Sequence, residues 1–275
     1  MMEEKKDLGK EYPSIVDLAY TQYKKLRKVD DIMSRNVITI GSEATMEGAA
    51  KIMGEKHIGS LIVIKYSTPI AIVTERDLLS RVLAEGKSPA EVAVEEVMSY
   101  PLVTICPTTS IKEAAQIMIK NKGRLVVFEC GKLVGVVTAS DLIRSLPDVP
   151  EALIKVDDFM TKKVVSYDKS TPISDLVKTM GKKRIGSVII NEEDRPIGIF
   201  TERDLLTAFL SKGRTLDVPV DNHYSTPLIT APSGTSIHKA ATIMATKHVR
   251  RLPITKDEKI IGIITARDLV EAYAK

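Results

Sequence analysis

An α+β fold made of four tandem units is predicted by three observations. First, shifting the chain by 127 residues lays one half on the other, so that Met33 falls on Met160, Gly59 on Gly186, Asp77 on Asp204 and Asp141 on Asp268. Second, a weaker period near 64 within each half places a Thr-x-x-Asp at Thr74, Thr138, Thr201 and Thr265. Third, every period carries the same succession of strand-like and helix-like patterning. The copies therefore alternate A-B-A-B, and a unit of about sixty residues is what has to fold.

Each unit opens on a lead-in (DDIMS 30–34, EEVMS 95–99, DDFMT 157–161, DNHYS 221–225) and a short strand, VITI, LVTI, VVSY or LITA. An amphipathic helix follows, with apolar residues at i, i+3, i+4 and i+7, such as Met46, Ala49, Ala50 and Met53 or Ile111, Ala114, Ala115 and Met118. Ser110 with Glu113 reads as a capping box, and Thr171-Pro172 as a cap followed by a first-turn proline. Two β-rich runs come next, SLIVI and PIAIVT in the first unit, split by turn-like residues. The last helix opens at the Thr-x-x-Asp. The resulting β-α-β-β-α unit has a sheet that needs a helix layer to cover it. Alone it would be marginal, so the units are expected to pair through sheets or helices. The divisions are 1–28 (an extension, partly helical), 29–90, 91–150, 151–216 and 217–275. The segment LPDVPEA (146–152) separates the halves.

Composition narrows the function. With 275 residues, 44% hydrophobic and 28% charged, the chain can bury a sizeable core without staples. It has no apolar run near the ~20 residues that span a bilayer and no leader-like start, and Cys106 and Cys130 fit neither a disulfide framework nor a metal cluster. A cytoplasmic, reduced setting is expected. Catalysis is not: Gly86-Lys87-Ser88 lacks the earlier glycine of a phosphate loop, and the four His follow no ligand spacing. A net charge of +4 mildly favours nucleic acid, but the positive charge is dispersed and only 4% of residues are aromatic, too few to stack bases well.

The repeated polar residues carry the functional expectation. Thr74/Asp77, Thr138/Asp141, Thr201/Asp204 and Thr265/Asp268 have a structural explanation, in which Thr caps the last helix and Asp reaches back to complete the box. A functional one adds that a carboxylate accepts from both hydroxyls of a vicinal diol. A second set is the first-strand hydroxyls Thr39, Thr104, Ser166 and Thr230. The third feature separates A from B copies. A copies begin their middle strand with Gly59-Ser60 or Gly186-Ser187 and carry Glu75 or Glu202; B copies place Arg124 or Arg251 there, with Arg250 adjacent in the fourth unit. Arginine supplies a planar fork for phosphate. Phosphate is thus expected mainly on the B side, with Glu75 and Glu202 unfavourable unless Arg76 and Arg203 neutralise them.

These residues carry a resemblance. Gly135-Val-Val-Thr-Ala-Ser-Asp141-Leu, Gly198-Ile-Phe-Thr-Glu-Arg-Asp204-Leu and Gly262-Ile-Ile-Thr-Ala-Arg-Asp268-Leu resemble the CBS-domain signature, with Ala71 in place of the glycine in the first copy. The resemblance covers about residues 29–273. It implies four CBS repeats paired into two Bateman modules, forming a disc similar to the γ subunit of AMP-activated protein kinase. It also implies clefts for AMP, ADP, ATP or S-adenosylmethionine. In them the four Asp hold ribose hydroxyls and the four Thr sit beside ribose or α-phosphate. The first-strand hydroxyls line the clefts, and Arg124 and Arg251 (or Lys122 and Arg250) face phosphate. The expected function is a non-catalytic nucleotide-sensing regulator acting on a partner protein, with homodimerisation through a disc face or closure of the disc within one chain. The alternatives are an S-adenosylmethionine-type sensor, a nucleic-acid binder and an interaction module with vestigial sites.

Overall fold

The structure is a computed structural model and describes residues 27–121, 123–145 and 154–275. The helix expected in 1–28, the Pro-rich boundary at 146–152 and Lys122 fall wholly or largely outside these residues.

The described residues form four three-stranded sheets, each with its middle strand parallel to the first and antiparallel to the third. They comprise β1 (Thr39–Gly41), β2 (Ser60–Lys65) and β3 (Thr68–Thr74); β4 (Thr104–Ile105), β5 (Leu125–Glu129) and β6 (Lys132–Val137); β7 (Ser166–Asp168), β8 (Ser187–Glu192) and β9 (Arg195–Thr201); and β10 (Ala231–Pro232), β11 (Arg251–Lys256) and β12 (Lys259–Thr265). The parallel pair forces a crossover, supplied by α1 (Met46–Glu55), α3 (Ile111–Asn121), α5 (Ile173–Lys183) and α7 (Ile237–Thr246). The closing helices are α2 (Glu75–Asp77, continued by turns to Glu85), α4 (Ala139–Ser145), α6 (Glu202–Ala208) and α8 (Ala266–Ala274). The tight hairpins bring paired residues to positive φ, such as Tyr66 and Ser67 or Glu193 and Asp194, as a twisted two-residue turn requires.

The periodic apolar faces are the buried ones: Met46, Ala49, Ala50 and Met53 of α1 are all at or near zero exposure. The expected Ser110 cap forms, whereas the one expected at Thr171 does not. Ser110 Oγ accepts from the Glu113 N–H. At α5 the cap position is Pro172 rather than Thr171, and the first free N–H groups, on Ile173 and Ser174, donate to the carbonyls of Val218 and Leu216 instead. The segment joining this unit to the next thus caps the helix, which sequence spacing does not encode.

The units are assembled by exchange. The lead-in of the first pairs with β6 of the second (Ser34 with Val136), and that of the second pairs with β3 of the first (Ser99 with Ile72). Thr161 with Ile263 and Ser225 with Ile199 repeat the exchange between units three and four. Ile62 and Ile72 pack on Val126 between the first two sheets. Helices join the halves. α1 and α6 pack together, as do α5 and the segment after α2, whereas α8 packs on α3 and α4. The approach is close: a Cβ on Gly54 would lie 2.4 Å from Ser211 Cβ, and one on Gly181 2.3 Å from Ala84 Cβ. Sheets thus join units one to two and three to four, while helices join one to three and two to four. The disc closes within one chain, so no second copy is needed to complete it. Among the described residues no helix is long and apolar enough to cross a membrane.

Candidate functional site

The four Thr-x-x-Asp sequences are helix caps. In every copy the Thr N–H and hydroxyl both donate to Asp Oδ2, the hydroxyl at 2.7–2.8 Å. In three copies the Asp N–H returns a bond to Thr Oγ1; at Asp141 it goes to the Thr138 carbonyl. The hydroxyl hydrogen is therefore committed to the carboxylate, and each Thr offers a visitor only acceptor capacity. Burial pushes the carboxyls of Asp77, Asp204 and Asp268 above the ordinary value against the pull of these cap bonds.

What distinguishes the copies is Oδ1. In Asp141 it accepts from Arg144 at 2.6 Å and in Asp77 it lies 3.6 Å from Arg81, both with partly exposed arginines. Asp204 Oδ1 instead accepts from Ser225 at 3.2 Å, on the exchanged lead-in of the fourth unit.

A cavity of about 1350 Å³ occupies the middle of the disc. It gathers Thr74/Asp77, Thr138/Asp141 and Thr265/Asp268, but Thr201 and Asp204 do not line it. Of the first-strand hydroxyls only Thr104 does. Thr39, Ser166 and Thr230 are absent from the wall, where residues just before the first strands, such as Asn36 and Lys163, stand. Tyr100, 73% exposed, also lines it and brings an aromatic ring to the wall.

The cavity holds a buried charge network joining units one, three and four. Glu75 and Glu202 are 4% and 7% exposed. Glu202 accepts from Arg251 at 2.6 Å and from Arg76 at 3.3 Å; Glu75 accepts from Arg250 at 3.3 Å and has Arg203 at 3.8 Å. Neutralisation is thus crossed, each A-copy arginine serving the other half's glutamate. Burial alone would push Glu202 up, but Arg251 and Arg76 together hold its carboxyl below the ordinary value. The glycines of the A copies leave room for these pairs: a Cβ on Gly186 would lie 1.8 Å from Arg251 Nη2 and 2.6 Å from Glu202 Oε2. This inter-unit pairing was missed in sequence; the glycine at the start of the A-copy middle strand was its signal.

Comparison with known proteins adds the following. The CBS domain family model matches residues 29–84, 94–148, 156–211 and 220–275. Uncharacterized protein MJ1225 of Methanocaldococcus jannaschii is 29% identical over 189 residues, 62% of this chain and 67% of the relative. Uncharacterized protein MJ1404 of the same organism is 28% identical over 268 residues, 90% of this chain and 62% of the relative. The crystal structure of MJ1225, described as a proposed archaeal homolog of g-AMPK, matches with a TM-score of 0.75 at 23% identity, covering 90% of this chain and all of that one.

Proposed function

The chain belongs to the CBS-domain family, and from that premise we propose that it is a non-catalytic, adenine-nucleotide-binding regulatory protein. The observation that carries the reading is the convergence of three capped carboxylates and an arginine-rich wall on one cavity. The cap takes Oδ2 of each carboxylate; Oδ1, which in Asp141 also accepts from Arg144, keeps lone-pair capacity for the hydroxyls of a ribose. Arginine forks suit the phosphates. At about 1350 Å³ the cavity exceeds an ordinary single-ligand pocket of roughly 300–1,000 Å³, so it has room for more than one nucleotide. AMP, ADP and ATP are the expected ligands. Ligand bound between exchanged units would bias their spacing by its differential affinity, and a partner protein would read the altered disc face.

Thermal unfolding of the intact chain with AMP, ADP, ATP, S-adenosylmethionine or adenosine tests this. The midpoint should rise with the logarithm of nucleotide concentration above Kd. A response to S-adenosylmethionine alone would make the protein a sensor of that ligand. A flat response to all five would leave an interaction module with vestigial sites.

A further inference from the structure

The strand registers expose an asymmetry in the charge network. Leu125 pairs with Val137 and Leu252 with Ile264, which aligns Arg124 with Arg251 and Gly123 with Arg250. The fourth unit therefore brings two arginines to the cavity where the second brings one. Glu75 and Glu202 are equivalents, and Glu202 has the partners its place predicts, Arg251 from the adjacent B copy and Arg76 from the opposite A copy. The matching set for Glu75 would be Arg124 and Arg203. Instead Arg250 reaches across the disc to within 3.3 and 3.4 Å of its two carboxylate oxygens. Arg124 then has no hydrogen bond or ion pair within 4.0 Å to any described residue, although it flanks Gly59 beside Glu75. Five arginines here share Glu75 and Glu202, and the capped carboxylate of Asp77 also acts on Arg124.

We propose that Arg250 makes the two halves of the cavity inequivalent: by holding Glu75 it leaves Arg124 as the guanidinium that takes the first phosphate group of a nucleoside phosphate, whereas Arg251 stays committed to Glu202. Burial disfavours the charge of Arg124 and Glu75 only partly offsets this, so an anion arriving there supplies what the protein does not. At Arg251 the same anion must first displace a carboxylate. This inference rests on the nucleotide reading for its ligand class, but its test uses pyrophosphate and does not need a nucleoside to bind.

Calorimetric titration of the full chain with pyrophosphate, and in parallel with ADP, is the experiment. Arg124→Gln should weaken pyrophosphate by about 10- to 100-fold, the worth of a hydrogen bond between charged groups. Arg251→Gln should cost severalfold less. Arg250→Gly, which copies the second unit, should let Glu75 turn to Arg124 and weaken pyrophosphate comparably, and adding Glu75→Gln should restore most of it. Arg124→Lys keeps the charge and loses the fork, giving an intermediate loss and a usable variant should Arg124→Gln not fold. The proposal is overturned if Arg251→Gln costs as much as Arg124→Gln, if Arg250→Gly binds like the parent, or if the parent does not bind pyrophosphate. Pyrophosphate binding that depends on Arg124, with no response to any nucleotide, would sink the nucleotide reading while upholding the inequivalence of Arg124 and Arg251 toward phosphate. Nucleotide binding dominated by Arg251 would do the reverse.

Discussion

Replacing Gly186 by alanine tests whether the middle of the disc is held by paired buried charges. The added methyl would sit 1.8 Å from Arg251 Nη2 and 2.6 Å from Glu202 Oε2, so the two cannot keep their 2.6 Å contact. Glu202 is 7% exposed and would keep only Arg76, at 3.3 Å, on a half-exposed side chain. Both charges remain and their side-chain ends can shift, so the cost of deleting one partner of a buried pair, about 3–5 kcal/mol, is the upper bound. For 275 residues at about 2.1 cal/mol/K each, the unfolding entropy is about 0.6 kcal/mol/K, so the midpoint should fall measurably, by up to roughly 5–9 °C. Gly41→Ala, where a Cβ meets nothing within 4 Å, is the control and should stay within about 1 °C of the parent. Differential scanning calorimetry at several pH values adds a second arm. The folded carboxyl of Glu202 lies below its ordinary 4.5, so its pairing stabilises above that value and is lost as pH falls through the folded one. The gap between Gly186→Ala and parent should therefore narrow in acid. Equal midpoints for the two alanine variants at neutral pH would show that the Arg251–Glu202 pair does not hold the middle of the disc.

Three further expectations follow from the same geometry. Replacing Arg124 and Arg251 together by Gln should weaken ATP far more than adenosine; equal losses in a titration would show that the arginines do not face phosphate. Thr265→Val keeps the branched shape but removes the hydroxyl that bonds Asp268 Oδ2 at 2.8 Å, and should cost about 1 kcal/mol in chemical denaturation. Asp268 has its folded pKa raised above 3.8 by burial, so the folded state binds the extra proton and this group's contribution to stability falls as pH rises from 3.8 through the folded value. Asp268→Asn keeps an acceptor for the cap but removes that slope. Its midpoint relative to the parent should rise between pH 4 and 7, and a constant difference would contradict the assignment.

Much of the unit was legible because it is local. The 127-residue period, the apolar stripe of Met46, Ala49, Ala50 and Met53 and the Thr-x-x-Asp caps follow from spacing along one helix or turn, and they stand where they were expected. The arrangement of units was not, since it depends on surfaces that meet only after folding. Nothing near Ser34 or Ser99 announces a partner strand in the other unit, and nothing near Thr171 says that Val218 and Leu216 will cap its helix. The same limit governs the site. Sequence symmetry treats Asp204 like the other three, but the lead-in of the fourth unit brings Ser225 to its Oδ1 and the cavity leaves it out. Thr39 and Ser166 lie on their strands, yet the cavity wall is formed by the residues before them. Glu75 and Glu202 were read as needing their own neighbours, Arg76 and Arg203; those arginines cross the disc to the opposite glutamates.

The most direct measurement is a calorimetric titration of the intact chain with ADP, repeated for Asp→Ala at positions 77, 141, 204 and 268. The parent should bind, Asp77→Ala, Asp141→Ala and Asp268→Ala should each lose affinity or bound ligand, and Asp204→Ala should bind like the parent. Absence of binding by the folded parent, or a loss at Asp204 equal to that at the other three, would contradict the assignment of the nucleotide site to this cavity.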